Sequence, residues 1–202
     1  SKQLKEDIGV VFGQGNFYET LTPTQIGSIS AAAYTQWDQA TYEGYLTRFQ
    51  LPKDKVLKTF SNGMRTKLGI AVALSHHPKL LILDEATSGL DPVVREDILD
   101  VFWEFVQDER HSILMSSHIT SDLEKIADCI TFLHQGKLLF CKPKDELRYQ
   151  YGVLRCGEAQ FKRLDSGEIL VYRKEPCQID VLVADNEAAR RRHPSMVVDD
   201  AT

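Results

Sequence analysis

A chain of 202 residues has room for one sizeable core or for a domain with a small companion, and 43% apolar with 26% charged residues excludes a disordered tether. No apolar run approaches the roughly 20 residues of a membrane span, so any membrane part must lie outside this sequence. The net charge of -5 argues against a polyanion, and the one basic run, Arg190–Arg192, reads as a solvated helix face, so no nucleic-acid partner is expected.

Ile8–Phe12 reads as a strand almost at the first residue, which predicts a longer parent chain. Gly13-Gln14-Gly15-Asn16 follows as a polar turn. Thr22-Pro23 can open a first helix, and Trp37, Ala40, Tyr42, Tyr45, Leu46 and Phe49 recur at the spacing of a second. Phe60-Ser61-Asn62-Gly63 is a small polar loop before Leu68, Ile70, Ala71, Val72 and Leu74, which suit a third helix. Its N-terminus would present free N–H groups and a positive dipole end, a good phosphate site; an ordinary N-cap by Ser61 or Asn62 is the plainer reading.

Leu80-Leu81-Ile82-Leu83, bounded by Pro78, reads as a strand buried on both faces. Asp84 and Glu85 then stand at its C-terminal edge, where open parallel sheets bind ligands. One acid there can hold a metal and the other orient or deprotonate a water, and a solvated turn is the alternative. Asp91 is placed to cap the next helix and Pro92 to begin it, with Val94, Ile98, Val101, Phe102 and Phe105 on one buried face. Ser112–Ser116 is the next strand, and His118 follows at the same edge as Glu85, a place that favours a ligand-facing histidine over a core one. Leu123, Ile126 and Ala127 suggest a short helix, and Ile130–Leu133 and Lys137–Phe140 pair as a hairpin around Gln135-Gly136.

A boundary is expected near Lys142-Pro143-Lys144, giving a domain over 1–147 and a module over 148–202. The module reads as strand (Val153–Cys156), helix (Glu158–Leu164), strand (Glu168–Tyr172), strand (Gln178–Val183), helix (Asn186–His193) and strand (Met196–Val198), an order that suits a truncated ferredoxin-like accessory unit. None of its motifs carries chemistry. Cys129, Cys141, Cys156 and Cys177 show no C-x-x-C pair and no metal-ligand spacing, and read as free thiols in a reducing compartment.

Four of these motifs in this order resemble the ATP-binding subunits of ABC transporters. Phe60-Ser61-Asn62-Gly63-Met64 looks like the signature loop, usually LSGGQ; Leu80–Glu85 looks like the Walker B strand with its catalytic glutamate; Ser88-Gly89-Leu90-Asp91 looks like the D-loop; Ser117-His118 falls at the switch histidine. The resemblance covers about residues 8 to 147 and implies a partial P-loop NTPase (ABC ATPase) core of the α/β class, with a helical subdomain over about residues 16–75. It also implies ATP and Mg²⁺ as cofactors, a second ATP-binding subunit facing the first head to tail, a separate transmembrane permease, and a peripheral place on the cytoplasmic face of the cell membrane.

By this resemblance Asp84 would hold Mg²⁺ through water, Glu85 would polarise the attacking water, and His118 would contact the γ-phosphate. Ser61, Asn62 and Gly63 would serve the opposite site, and Asp91 would couple the two. A Q-loop glutamine is also implied: an ungapped count puts Gly13 at that position, and Gln14, one residue over, is either that glutamine or a turn residue. Asn62 stands for a glycine, Met64 for glutamine and Ala86 for proline. The Walker A run G-x-x-x-x-G-K-[ST] is expected upstream of Ile8, since the one Gly-Lys here, Gly136-Lys137, is followed by Leu138. A chromosome-maintenance ATPase and a non-hydrolysing interaction module of the same fold are the alternatives. The first would need a long coiled coil before the signature, where residues 22–58 instead carry aromatics with Pro23 and Pro52.

Overall fold

The computed structural model describes residues 2–13 and 17–200. The chain packs as two compact units, Ser1–Ile126 and Ala127–Thr202. In the first, strands β1 (Ile8–Phe12), β2 (Leu80–Asp84) and β3 (Ser112–Ser116) form a parallel sheet in the order β1-β2-β3. Its helices are α1 (Lys2–Glu6), α2 (Pro23–Ala33), α3 (Gln39–Arg48), α4 (Asn62–Leu74), α5 (Pro92–Phe105) and α6 (Thr120–Ile126). The register aligns Phe12, Asp84 and Ser116 side by side, so all three strands end at one edge.

Local chemistry sets the helix starts. The Thr22 side chain accepts from the Gln25 amide while the Gln25 side chain accepts from the Thr22 amide, a reciprocal cap with Pro23 at the first helical position. Asp38 accepts from the amides of Ala40 and Thr41, so α3 begins at Gln39 and Trp37 stays outside it. Ser61 and Asp91 cap α4 and α5 in the same way, each accepting from the amide three residues on.

The core joins the sheet to the helices. Leu81 and Leu83 from β2 pack with Leu68, Ile70 and Ala71 from α4, Ile98 and Phe102 from α5, and Tyr42 and Leu46 from α3. Tyr42 is fully buried and its hydroxyl donates to the Pro23 carbonyl at 2.9 Å, which satisfies the polar end of an otherwise apolar contact. Burial pushes that hydroxyl well above the ordinary tyrosine range. Of the helical-subdomain aromatics, then, Tyr42 belongs to the core, and Trp37 and Tyr45 pack partly buried against it.

The expectation that β2 is buried on both faces is corrected. Leu81 and Leu83 are buried, but Leu80 and Ile82 are half-buried, and the residues aligned with Ile82 on its face, Val10 and Leu114, are 43% and 63% exposed. The described helices pack against the Leu81 side, where α4 meets β1, and leave the Ile82 side partly open.

The second unit begins with the hairpin β4 (Cys129–His134) and β5 (Lys137–Pro143). Its turn residues Gln135 and Gly136 have φ of 48° and 74°, the left-handed pair that a two-residue hairpin turn needs. Then come α7 (Lys144–Gln150), β6 (Gly152–Cys156), α8 (Glu158–Phe161), β7 (Val171–Lys174), β8 (Ile179–Val183), α9 (Asn186–Arg192) and β9 (Val197–Asp200). The four later strands form an antiparallel sheet, order β7-β8-β6-β9, with its own core of Leu154, Ile179, Val181, Val183 and Ala189.

The strand expected from Glu168 starts instead at Val171, because Glu168 is held by His193 at 2.8 Å and by Arg192. The two ion pairs keep the Glu168 carboxyl below the usual carboxylate range. The hairpin groups with this second unit, where β5 packs on α7, and the two compact units divide after Ile126.

Candidate functional site

The C-terminal edge of the parallel sheet gathers four acid, hydroxyl and imidazole groups of this unit: Asp84, Glu85, Ser116 and His118. Ser116 ends β3 beside Asp84, and its hydroxyl donates to Asp84 Oδ1 at 2.7 Å. The Glu85 amide is bound in turn by both the carbonyl and the hydroxyl oxygen of Ser116, at 3.2 and 3.1 Å. Glu85 takes φ of 50°, a left-handed conformation that costs a non-glycine residue of the order of 1–2 kcal/mol and that the Ser116 clamp helps hold. The turn aims the Glu85 carboxylate at His118, whose Nδ1 lies 2.7 Å from Oε2. Both side chains are largely exposed, at 41% and 66%, so this contact adds little stability and leaves the pair open to a ligand.

Gly13 lies against the same edge. Its amide donates to the Asp84 carbonyl at 3.0 Å, and a Cβ built on it would stand 2.5 Å from the Glu85 carbonyl oxygen. No side chain fits there. Gln14 lies outside the described residues.

The signature-like loop forms a second cluster. Ser61 accepts from the Met64 amide at 3.2 Å, so its hydroxyl serves as an N-cap, and Gly63 is buried, with space for a Cβ closed by Val94 on α5 at 2.9 Å. Thr66 in the next turn donates to the Asn62 carbonyl at 3.1 Å and reaches the Gly13 carbonyl at 3.4 Å. Asp91 accepts from the Val94 amide at 3.0 Å, so the D-loop-like run and the signature-like loop meet at Val94. Gly89 in that run has φ of 68°, where glycine costs least. Among the described residues no hydrogen bond joins Ser61, Asn62 or Gly63 to Asp84, Glu85 or His118.

Four contributors went unnoticed in the sequence. Ser116 is signalled only by being polar at the last position of an apolar strand. Thr87, Asp122 and Arg95 carry no motif of their own, yet Thr87 Oγ1 donates to Asp122 Oδ2 at 2.6 Å in the interior, and Arg95 Nε lies 3.3 Å from Asp122 Oδ1. That last approach has the distance of an ion pair without the angle of a hydrogen bond, which leaves both atoms without a hydrogen-bond partner among the described residues. The trio ties the turn just after Glu85 to the helix just after His118.

Asp122→Ala would strand the half-buried Arg95 and the buried Thr87 hydroxyl, and should lower unfolding free energy by about 2–4 kcal/mol, read as a lower urea midpoint. Asp122→Asn, which keeps an acceptor for Thr87, should lose less. Equal midpoints for Asp122→Ala and the parent would refute the tie.

Asp84 and Ser116 offer hard oxygen donors at an exposed edge, which suits Mg²⁺, an ion that keeps most of its waters and takes one or two protein oxygens. Among the described residues no group of three or more acidic, histidine or cysteine side chains could hold a metal by itself. No helix among the described residues is long and apolar enough to cross a membrane.

Comparison with known proteins places these features. The family model described as "ABC transporter" matches residues 1–88. The chain is 34% identical over 149 residues to the bacitracin transport ATP-binding protein BcrA of Bacillus licheniformis, covering 73% of this chain and 49% of that protein. It is 30% identical over 149 residues to the ABC transporter ATP-binding protein YtrB of Bacillus subtilis, covering 74% and 51%. A lantibiotic transport ATP-binding protein, SrtF of Streptococcus pyogenes, is 45% identical over 89 residues, covering 44% and 38%. The chain spans about half the length, or less, of these relatives. A solved structure of the ATP-binding subunit of an ABC transporter superposes with a TM-score of 0.61 at 27% identity, over 72% of this chain and 62% of that one. A sequence match that runs through the Asp84–Glu85 edge, and a backbone shared with a solved ATP-binding subunit over most of its length, make this chain similar to the ATP-binding domains of the ABC transporter family.

Proposed function

We propose that this chain is part of an energy-coupling ATPase subunit that hydrolyses Mg-ATP at a head-to-tail dimer interface and drives transport through a separate transmembrane permease, from the cytoplasmic face of the membrane. The observation that carries the proposal is the Glu85–His118 contact at 2.7 Å beside the Asp84–Ser116 pair, all on the ligand-binding edge of a parallel sheet.

In this reading Glu85 accepts a hydrogen bond from the attacking water and holds it in line, while His118 fixes the carboxylate and presents its other ring nitrogen to the γ-phosphate. Asp84 holds water ligands of Mg²⁺, and Ser116 keeps that carboxylate facing the edge. When bound, the ion offsets charge on the phosphate oxygens. The α4 N-terminus is the group offered to the opposite nucleotide: its free N–H groups and dipole end favour a phosphate. Asn62 in place of glycine tolerates unusual backbone conformations, and the loop already forms a regular helix start with Ser61 as cap. Asp91, next to that loop, is the candidate link between the two sites. Gln14 keeps its two readings, Q-loop glutamine or turn residue. The substrate is chosen by the permease, so the bacitracin and lantibiotic in the relatives' names are not carried over.

The 202 residues contain no G-x-x-x-x-G-K-[ST] run, the loop whose amides and lysine cradle the β- and γ-phosphates. Calorimetric titration of this chain alone with Mg-ATP should therefore show weak binding or none. A micromolar dissociation constant would overturn that expectation. The proposal itself is tested by steady-state hydrolysis of the full-length subunit together with its Glu85→Gln variant.

A further inference from the structure

Away from the sheet edge, the hairpin brings two thiols together. Cys129 Sγ lies 3.5 Å from Cys141 Sγ, and both residues are exposed. In the ladder Cys141 stands opposite Thr131 and Cys129 opposite Pro143, which makes the cysteines diagonal neighbours on one face of the hairpin. Diagonal neighbours stand farther apart than directly opposite residues, yet here the two sulfurs meet.

The pair is chemically uneven. Thr131 Oγ1 donates to Cys141 Sγ at 3.2 Å, and Cys129 adds a second hydrogen bond, which together hold the Cys141 thiol below its ordinary range. The bond to Cys141 pushes the Cys129 thiol the other way. Cys141 is thus the better thiolate and Cys129 the waiting thiol, an arrangement suited to attack followed by resolution. Closing the sulfurs from 3.5 Å to a bond of about 2.05 Å draws the strands together at this end of the hairpin, where Pro143 brings no N–H to the ladder opposite Cys129 and the Lys144 amide donates to the Asp128 carbonyl at 2.8 Å. Cys156 is buried, and Cys177 is exposed with no cysteine contact among the described residues.

We propose that Cys129 and Cys141 form a reversible disulfide site whose reagent is a two-electron oxidant of the peroxide class. The Cys141 thiolate attacks a peroxide oxygen; the O–O bond breaks, Cys141 becomes a sulfenic acid, and the departing hydroxide takes a proton to leave as water. The Cys129 sulfur then attacks the Cys141 sulfur. The S–S bond forms as the S–O bond breaks, and the hydroxyl leaves as water with the proton of Cys129. Two thiols are oxidised by two electrons, and one peroxide is reduced to two waters. The bond staples β4 to β5 at the end opposite the Gln135-Gly136 turn. Exposed disulfides of this kind are readily reduced, so a dithiol reductant reverses the step.

The test treats the chain with one equivalent of hydrogen peroxide, blocks remaining thiols with an alkylating reagent and maps the peptides by mass. The expected product is one linked peptide pair containing Cys129 and Cys141, lighter by two hydrogen atoms and restored by dithiothreitol, with Cys177 alkylated. In Cys129→Ser the same treatment should leave a sulfenic acid on Cys141 that dimedone traps, which identifies the attacking sulfur. Full alkylation of both Cys129 and Cys141 after peroxide would overturn the proposal, as would links to Cys177 or between chains. So would an equal yield of the Cys129–Cys141 link in concentrated urea, since the hairpin would then have no part in it.

Discussion

Glu85→Gln in the full-length subunit should lower steady-state ATP turnover by about 10²–10⁴-fold, the span usual for loss of a positioned general base, and leave nucleotide affinity within a few-fold. The substitution keeps the shape of the side chain and its reach to His118 but removes the charge that draws a water proton. The Glu85 amide contacts with Ser116 are unchanged, so the left-handed turn is kept and stability should move little. A split of this kind, with turnover lost and binding retained, is what removal of a transition-state interaction produces. Hydrolysis within a few-fold of the parent would assign the chemistry to another group and, with it, reject the proposed role of the Glu85–His118 pair.

Gly13→Ala should also be severe, and for a reason that lies entirely in the backbone. The new methyl would meet the Glu85 carbonyl oxygen at 2.5 Å and its carbonyl carbon at 3.2 Å. These are main-chain atoms that cannot rotate aside. Either the end of β1 lifts from β2 and gives up the Gly13–Asp84 hydrogen bond, or the Glu85 peptide shifts and carries the carboxylate off His118. Overpacking of this sort costs about 1–3 kcal/mol of stability. A displacement near 1 Å at Glu85 would add a loss of about 10²-fold in turnover.

Gly44→Ala is the matched control. It sits inside α3 with nothing within 4 Å of the added methyl, and should stabilise by about 0.5–1 kcal/mol. The comparison is made on one set of full-length variants, by urea unfolding and by hydrolysis in parallel. Gly13→Ala with parental turnover and midpoint would show that the edge is far softer than the close approach at Gly13 implies.

Much of the first unit could be read from the chain because its causes are local. Thr22 and Asp91 cap the helices they precede, Pro92 starts α5, and the apolar run before Asp84 makes the central strand. Each of these depends on residues within a few positions of one another, and side-chain spacing reports them. The hairpin turn at Gln135-Gly136 belongs to the same class.

Contacts between distant positions could not be read in this way. The Ser116 clamp on Asp84 and Glu85 exists because strand register sets residues 32 and 31 apart side by side. The left-handed φ of Glu85, the Cβ-free space at Gly13 and the buried Thr87–Asp122 bond depend on that same register and on where α6 packs. The Cys129–Cys141 approach likewise comes from hairpin pairing and not from any cysteine spacing.

By itself the sequence determined the candidates for the chemistry and their local settings: Ser61, Asn62 and Gly63 at a helix start, Asp84 and Glu85 at a strand end, Asp91 as a cap, and His118 after the next strand. Only the tertiary structure decided which of them meet. It joined Glu85 to His118 at the sheet edge and set the Ser61–Gly63 loop beside the Asp91 helix without a hydrogen bond to that pair, because strand pairing and packing place side chains by register, which local spacing does not encode.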